Sequence, residues 1–428
     1  MKQRFLERLA SDIFANYKEM GNDLVVVLPN QRAGVFLRYA LSKLIDGPVL
    51  LPKIITIREL FYELSDLNIV EQSEQLFRLF EVSNLVGYEV GFEEFMQWGP
   101  ILLKDFDEID TNYVDVDDFF PALYADKEIR QWKPGESLTE KQVKYLELWK
   151  NAERMYRQMT SELINKKQAY SGLAYRYVID NLDNCLTSYA YEHILIAGFN
   201  ALNRCEEKLF KGFESHGKST FYWDYDHYYL DEKTNKAGQY LRDYEKWTEQ
   251  DWPRRENIGK NVNQINFVAC VNDHAQCIGL ASILSKVVED IGNDTAIILS
   301  DEGLLENVLR ELPENVDHVN ITMGLKLSSF PINDLIDKIL KLNQLSTNSR
   351  YPASLILELL SNSILTKIYK QEVHSIKQSI IKNNETYVSS QSIVDQTSSS
   401  VWSIIFQENN SAVDVVKSLQ LVIEQIRD

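Results

Sequence analysis

The sequence predicts an α/β protein with two parallel-sheet domains and helical insertions. Three observations predict it. Apolar runs of strand length, bounded by Gly or Pro, alternate with amphipathic helical stretches near the N-terminus. A long middle stretch shows helical periodicity only. A second group of strand-length runs then begins near residue 264. The chain of 428 residues is also too long for one ordinary domain.

The elements follow in order. LVVVL, residues 24–28, lies between Gly21 and Pro29 and predicts a strand buried on both faces. AGVFLRYALSKLI, residues 33–45, predicts an amphipathic helix. KIITI, residues 53–57, predicts a second strand, with a helix from Arg58. Residues 67–189 predict a helical insertion, as in SEQLFRLFEVSNLV and EKQVKYLELWKNAERMYRQM. HILIA (193–197), a helix over 204–214 and TFYWD (220–224) predict a return to the sheet that opens at residue 24. The first domain is thus expected over 1–66 plus 190–262, with a polar loop over 231–262. INFVACV from residue 265, DTAIILS (294–300) and VNITM (319–323) predict strands of a second α/β domain over 263–343. Residues 344–428 predict the start of a second helical insertion. The chain stops inside the amphipathic VVKSLQLVIEQIRD, which reads as a cut through a longer protein.

Composition excludes several classes. No apolar run approaches the roughly 18 residues that a membrane span needs. Cys185, Cys205, Cys270 and Cys277 show no CxxC spacing, which predicts neither a zinc site nor a disulfide framework, and a cytoplasmic location. The net charge of −18 argues against a simple nucleic-acid coat protein. The charge is uneven, however. Residues 1–66 carry nine bases and eight acids, a net of +1, whereas residues 67–189 carry thirteen bases and twenty-two acids, a net of −9.

GFESHGKS, residues 212–219, matches the P-loop pattern GxxxxGK[ST]. A P-loop needs a strand before it and a helix after it, so that loop N–H groups and a helix N-terminus converge on the phosphates. Here the predicted order is helix, then strand. Lys218 is therefore read as a false match, beside a helix C-cap at Gly217. Where a P-loop belongs, after the first strand, stands LPNQRAGVFLR (28–38), with one Gly and no GK[ST]. DFDEIDTNYVDVDD, residues 105–118, holds seven acids but lacks the EF-hand Gly and closing Glu, which favours a solvated acidic loop or a partner-facing patch over a Ca²⁺ site. FYWDYDHYY, residues 221–229, is either half core or a base-stacking surface, and Asp224 and Asp226 lack a third metal ligand. His274 and Cys277 share a helix face with no further ligand in sequence.

HILIAGFNALNRCEEKLFKGFESHGKSTFYWDYDHYYL resembles, in layout and spacing, the paired strands of superfamily 1 helicases of the UvrD/RecB type. The positions of that family's metal-binding Asp and water-activating Glu hold Ala197 and Gly198. In the second motif Trp223 and His227 replace Gly and Gln, and only Asp224 is kept. With LPNQRAGVFLR, ITIRELF, IAGFNALNRCEEKLF, FYWDYDHYYL and NITMGLKLSSFPINDLI, the order of segments resembles the AddB/RexB family and RecC, over most of residues 20–340. The resemblance implies two RecA-like (P-loop NTPase-like) domains with inactivated ATPase motifs, and no cofactor in this fragment. It also implies an AddA/RecB-like helicase–nuclease partner subunit, and a PD-(D/E)XK nuclease domain downstream.

The expected function is then a non-motor subunit of a bacterial break-repair complex that guides or scans single- or double-stranded DNA. Asn30, Gln31 and Arg32 after the first strand, and Thr56 and Arg58 after the second, are the expected strand contacts. They lie at strand C-terminal ends, where α/β sheets bind ligands. A protein-binding scaffold is the alternative, and an active NTPase using GFESHGKS a third reading.

Overall fold

The computed structural model describes residues 4–17, 19–45, 47–131, 138–248, 256, 258, 265–287, 295–314, 316, 318–324, 326–346, 349–409 and 411–427. It divides into two units, Met1–Gln264 and Ile265–Asp428. Among the described residues no helix is long and apolar enough to cross a membrane.

The first unit opens with α1 (Phe5–Asn16), β1 (Leu24–Leu28), α2 (Gln31–Ser42), β2 (Lys53–Thr56) and α3 (Ile57–Ser65). The excursion that follows is helical: β3 (Asn68–Ile69), α4 (Gln72–Leu85), α5 (Phe92–Thr111), α6 (Val116–Gln131), α7 (Glu140–Asn165), β4 (Gln168–Ala169), α8 (Ser171–Asp180) and α9 (Leu182–Ser188). Among the described residues its two short strands pair with each other alone. The chain then gives β5 (His193–Ala197), α10 (Arg204–Ser215), β6 (Ser219–Tyr222), α11 (His227–Asp231) and α12 (Gln239–Tyr244).

β2, β1, β5 and β6 form one parallel sheet in that order. β1 lies between strands from both sides of the excursion and is buried along its whole length. Its side chains alternate: Val25 and Val27 enter one core with α3, α8, α9 and α10, while Leu24, Val26 and Leu28 enter another with α1 and α2. Helices thus cover both faces, as parallel sheets require. Counted within the sheet the order is 2-1-3-4, the succession of flavodoxin-like doubly wound folds, and it reverses direction between β1 and β5.

Part of the stretch expected as a loop after residue 231 is helical. Tyr244 of α12 stacks on Trp223 at 5.0 Å, and its hydroxyl accepts from the Leu202 N–H at 2.9 Å. The rest of that stretch, beyond residue 248, lies almost wholly outside the described residues.

The helices of the excursion are tied to one another through Asp110, which is fully buried near the end of α5. Tyr156 of α7 and Tyr170 donate their hydroxyls to its two carboxylate oxygens. Arg176 of α8 donates Nε to Oδ1 at 2.5 Å, and its Nη2 donates to the Val114 and Ile109 carbonyls at 2.7 and 3.2 Å. The Asp110 carbonyl accepts from Cys205 Sγ of α10 at 3.3 Å. Burial pushes the Asp110 carboxyl above its ordinary value, against the pull of Tyr156, Tyr170 and Arg176. The acidic segment 105–118 is accordingly no solvated loop. It is the end of α5 and the start of α6, and two of its acids point inward: Asp110, and Asp107, whose Oδ1 accepts from the Gly172 N–H at 2.6 Å. α5 and α8 approach so closely there that a Cβ on Gly172 would lie 2.3 Å from the Asp107 carbonyl oxygen.

The second unit holds α13 (Asp273–Val287), α14 (Leu305–Glu311), α15 (Pro331–Leu345), β7 (Arg350–Pro352), α16 (Ala353–Leu359), α17 (Ser363–Ile368), α18 (Lys370–Asn383), β8 (Tyr387–Ser389), α19 (Ser390–Val394), α20 (Ser400–Ile405) and α21 (Ala412–Arg427). The strands expected over 265–271, 294–300 and 319–323 do not form among the described residues. Phe267, Val271 and Ile298 are 90% or more exposed there. A parallel strand takes its hydrogen bonds from neighbours distant in the chain, so an apolar run of strand length does not itself supply the pairing. Among the described residues of this unit the strands that pair are the antiparallel β7 and β8. They pack with α15, α16, α18, α20 and α21 around Tyr351 and Trp402.

The Ser-rich segment before α20 is ordered by Glu372. Its Oε1 accepts from the Ser398 and Ser399 N–H groups at 2.7 and 3.0 Å, and its Oε2 from Trp402 Nε1 at 2.8 Å. Burial opposes its ionisation, but Trp402, Ser398 and Ser399 outweigh that and hold its pKa down at about 2.

Two outcomes are expected. Asp110→Ala leaves Arg176 charged and unpaired, so urea unfolding of the first unit should show a loss of about 3–5 kcal/mol. A loss under about 1 kcal/mol would mean the cluster does not hold the helices of the excursion together. Glu372 has a folded pKa depressed from 4.5 to about 2. Its contribution is therefore complete above pH 4.5 and lost as pH falls toward 2. In acid titrations followed by Trp fluorescence, Glu372→Gln should flatten the loss of stability in that window.

Candidate functional site

The sheet ends in two helix N-termini. β1 runs through Pro29 into Asn30, whose side chain caps α2 by accepting from the Ala33 N–H at 2.9 Å. β2 ends at Thr56, which pairs with Leu28 in register and caps α3. Thr56 and Glu59 form a reciprocal capping box. The Thr56 N–H donates to Glu59 Oε2 at 2.7 Å, and the Glu59 N–H donates to Thr56 Oγ1 at 3.2 Å. A cavity of about 260 Å³ opens between these ends, lined by Asn30, Gln31, Gly34, Val35, Arg38, Ile54, Ile55, Thr56 and Glu59.

Its polar groups come from both helices. Gln31 Nε2 reaches Glu59 Oε1 at 3.5 Å, and Arg38 Nη2 donates to the Ile54 carbonyl at 3.1 Å. The Thr56 N–H holds the Glu59 carboxyl below its ordinary value, with further help from the Thr56 hydroxyl, Gln31 and the charge of Arg38. The cavity thus offers one guanidinium, one carboxylate and two amide side chains. It has no lysine and no glycine-rich loop to wrap a triphosphate, and phosphoryl transfer needs both charge neutralisation and a group to position the nucleophile.

Of the residues expected from sequence, Asn30, Gln31 and Thr56 line this cavity together. Gln31 and Arg32 belong to the first turn of α2 rather than to a loop, because Asn30 caps the helix earlier than the apolar pattern implies. Arg32 lies outside the lining, on the exposed side of α2. Arg58 also lies outside it. Its charge acts on Asp107 and Tyr175, on the side of α3 that faces the helical excursion. Sequence reasoning missed Arg38 and Glu59. Arg38 stands seven residues after Gln31, two turns along one helix face, and Thr56-x-x-Glu59 is itself a capping-box signature.

The topological switch lies between β1 and β5, the usual ligand crevice of such sheets. Here the chain fills it. Gly198 after β5 takes φ +77°, and the Phe5 ring of α1 comes within 3.3 Å of where a Cβ would stand, with Pro29 at 4.0 Å. The cavity sits one strand away.

At the P-loop look-alike, α10 ends at Ser215, Gly217 takes φ +64°, and β6 begins at Ser219. The Lys218 N–H donates to the Phe213 carbonyl and the Gly217 N–H to that of Glu214, a Schellman cap. The order is helix, then strand, and Lys218 closes a helix. In the aromatic run, Phe221, Tyr222 and Trp223 are core. Asp226 caps α11 through the Tyr228 N–H at 3.1 Å. Among the described residues no group of three His, Cys, Asp or Glu side chains is placed to hold a metal ion.

No family model matches the chain, and no curated protein matches it.

Thr56→Ala removes both the α3 cap and the hydroxyl that helps depress Glu59. Denaturation should show a loss of about 1 kcal/mol, and a carbon-detected NMR titration should show the Glu59 carboxyl moving up toward its ordinary value. An unmoved carboxyl would mean that the Thr56 side chain does not organise this cavity.

Proposed function

We propose that the chain is a non-motor, helicase-like subunit that guides a nucleic-acid strand along the C-terminal edge of its parallel sheet. One observation carries the reading. Asn30, Gln31 and Thr56, from two separate β-to-α turns, line one open cavity with Arg38, at the strand ends where α/β sheets take ligands. The segment resemblance to AddB/RexB and RecC supports the same reading. On it, the sheet of the first unit is the relic of a RecA-like domain, and residues 263–343 belong to a second. The motor is a partner subunit of the AddA/RecB kind, and a nuclease domain follows downstream. The break-repair setting and a cytoplasmic location belong to the same proposal.

A protein-binding scaffold is the second reading. The excursion over residues 67–189 carries a net charge of −9, and Phe77 and Phe92 stack at 5.6 Å on its surface while remaining 57% and 41% exposed. Exposed aromatic pairs of this kind mark protein contacts more often than phosphate contacts.

Fluorescence anisotropy with a labelled single-stranded oligonucleotide, across a salt series, separates the two. Strand guiding predicts modest affinity that falls as salt rises, because each phosphate contact releases counterions. Replacing Arg32 and Arg38 together with Ala should weaken binding and take roughly two units from the salt slope. An unchanged slope in that variant removes the proposed path and favours the scaffold.

A further inference from the structure

We propose that the outward face of α2 is a base-stacking platform for single-stranded nucleic acid. Phe36 and Tyr39 take the bases, and Arg32 and Lys43 take the phosphates. The inference rests on the strand-guiding reading and names the surface the strand would follow away from the cavity.

α2 buries one face only. Gly34, Leu37, Ala40 and Leu41 turn inward, and Leu37, Ala40 and Leu41 join the core shared with α1 and β1. At about 100° per residue, Arg32, Phe36, Tyr39 and Lys43 fall within roughly 60° of one another on the opposite side. Phe36 is 55% exposed and Tyr39 60% exposed. Two large aromatic rings left in solvent on one helix face have no role in the core. Val35, also 60% exposed, lies between this stripe and the cavity that Gln31 and Arg38 line, so the two surfaces are continuous.

Charge selects the occupant. Within Gln31–Ser42 the ionisable residues beside Tyr39 are Arg32 and Arg38, Lys43 follows at the C-cap, and the helix contains no acid. This stands in a chain with 63 acids against 45 bases. Cations alternating with rings suit a polyanion that also presents flat π-faces, which describes an unpaired nucleic-acid strand. A duplex keeps its bases stacked on one another and offers no face to Phe36 or Tyr39. Lys43 Nζ stands 4.3 Å from the Tyr39 ring centroid, so a cation already accompanies the ring that would carry a base.

The test uses the full chain and two labelled strands of equal length, oligo-dT and an abasic deoxyribose-phosphate strand. The wild type should bind oligo-dT more tightly than the abasic strand. Phe36→Ala and Tyr39→Ala should each weaken oligo-dT binding roughly tenfold. The double variant should bind both strands alike, with its salt slope unchanged. Phe36→Trp with Tyr39→Trp should keep the preference for oligo-dT, which shows that stacking is the property required. Equal oligo-dT affinity in wild type and the Ala double variant overturns this inference while leaving strand guiding through Arg32 and Arg38 in place. Absence of oligo-dT binding at low salt overturns both. Binding to anionic phospholipid vesicles without oligo-dT binding would make the face a membrane surface instead, and overturns it equally.

Discussion

The first unit depends on one buried carboxylate. The Asp110 carboxylate draws together α5, α7, the turn before α8 and α8 within the excursion, while its main-chain carbonyl accepts from Cys205 of α10. A sheet whose middle strands are separated in sequence by so much chain must bring the excursion back to a defined place. Apolar packing is non-directional and could accept several docking angles. A carboxylate that must find two hydroxyls and a guanidinium fixes how α5, α7 and α8 pack on one another, and α8 in turn packs beside α3 and α10. Such a cluster adds less to stability than its bonds suggest, because the ions have been taken out of water, but leaving any member unpaired is costly.

That placement reaches the cavity through covalent and packing neighbours. Arg176 binds Asp110, and the adjacent Tyr175 stacks on Phe61 of α3 with ring centroids 3.7 Å apart. α3 carries Thr56 and Glu59 at its N-terminal end. The helical excursion therefore supports the helix that forms one wall of the candidate site. Tyr113 shows how tightly the junction is drawn. It follows α5 with φ +49°, a conformation that non-glycine residues seldom adopt. Its hydroxyl donates to Asp180 at 2.7 Å, and Arg176 and Lys208 stand over its ring at 5.0 and 4.3 Å. The bond to Asp180 raises its pKa to about 12.

Some of this is legible in the sequence and some is not, for physical reasons. β1 and β5 are legible because both faces of a central parallel strand are apolar, and LVVVL and HILIA say so directly. The false P-loop is legible because element order alone decides it. α2 starts two residues before its apolar pattern does, since periodicity does not register a polar first turn that Asn30 caps. Asp107 and Asp110 read as solvated acids because their donors stand far along the chain, and nothing local marks Tyr156, Tyr170 or Arg176 as partners. The expected strands after residue 264 expose the same limit from the other side. An apolar run states what can be buried, not what will cover it. The cavity is legible in half: the turn residues Asn30, Gln31 and Thr56 announce themselves, while Arg38, two turns into a helix, does not.

The chemistry at the sheet edge also bears on what kind of ligand could use it. A small anion would meet one guanidinium that already donates to the Ile54 carbonyl, and a carboxylate close by. It would bind poorly, and the chain's overall charge of −18 would repel it further. A polymer changes the arithmetic. Once one phosphate is held, the next contacts form at high local concentration, so several weak groups spaced along a surface can hold a strand that none could hold alone. Residues 1–66, with a net charge of +1, are a stretch of the first unit where such a series meets little repulsion. A row of weak contacts also lets a strand slide, because no single contact is strong enough to stop it. On the proposed reading, loss of the phosphate-wrapping lysine and loop therefore suits the role. A subunit that guides a strand pulled by another motor gains from a surface that grips nothing tightly.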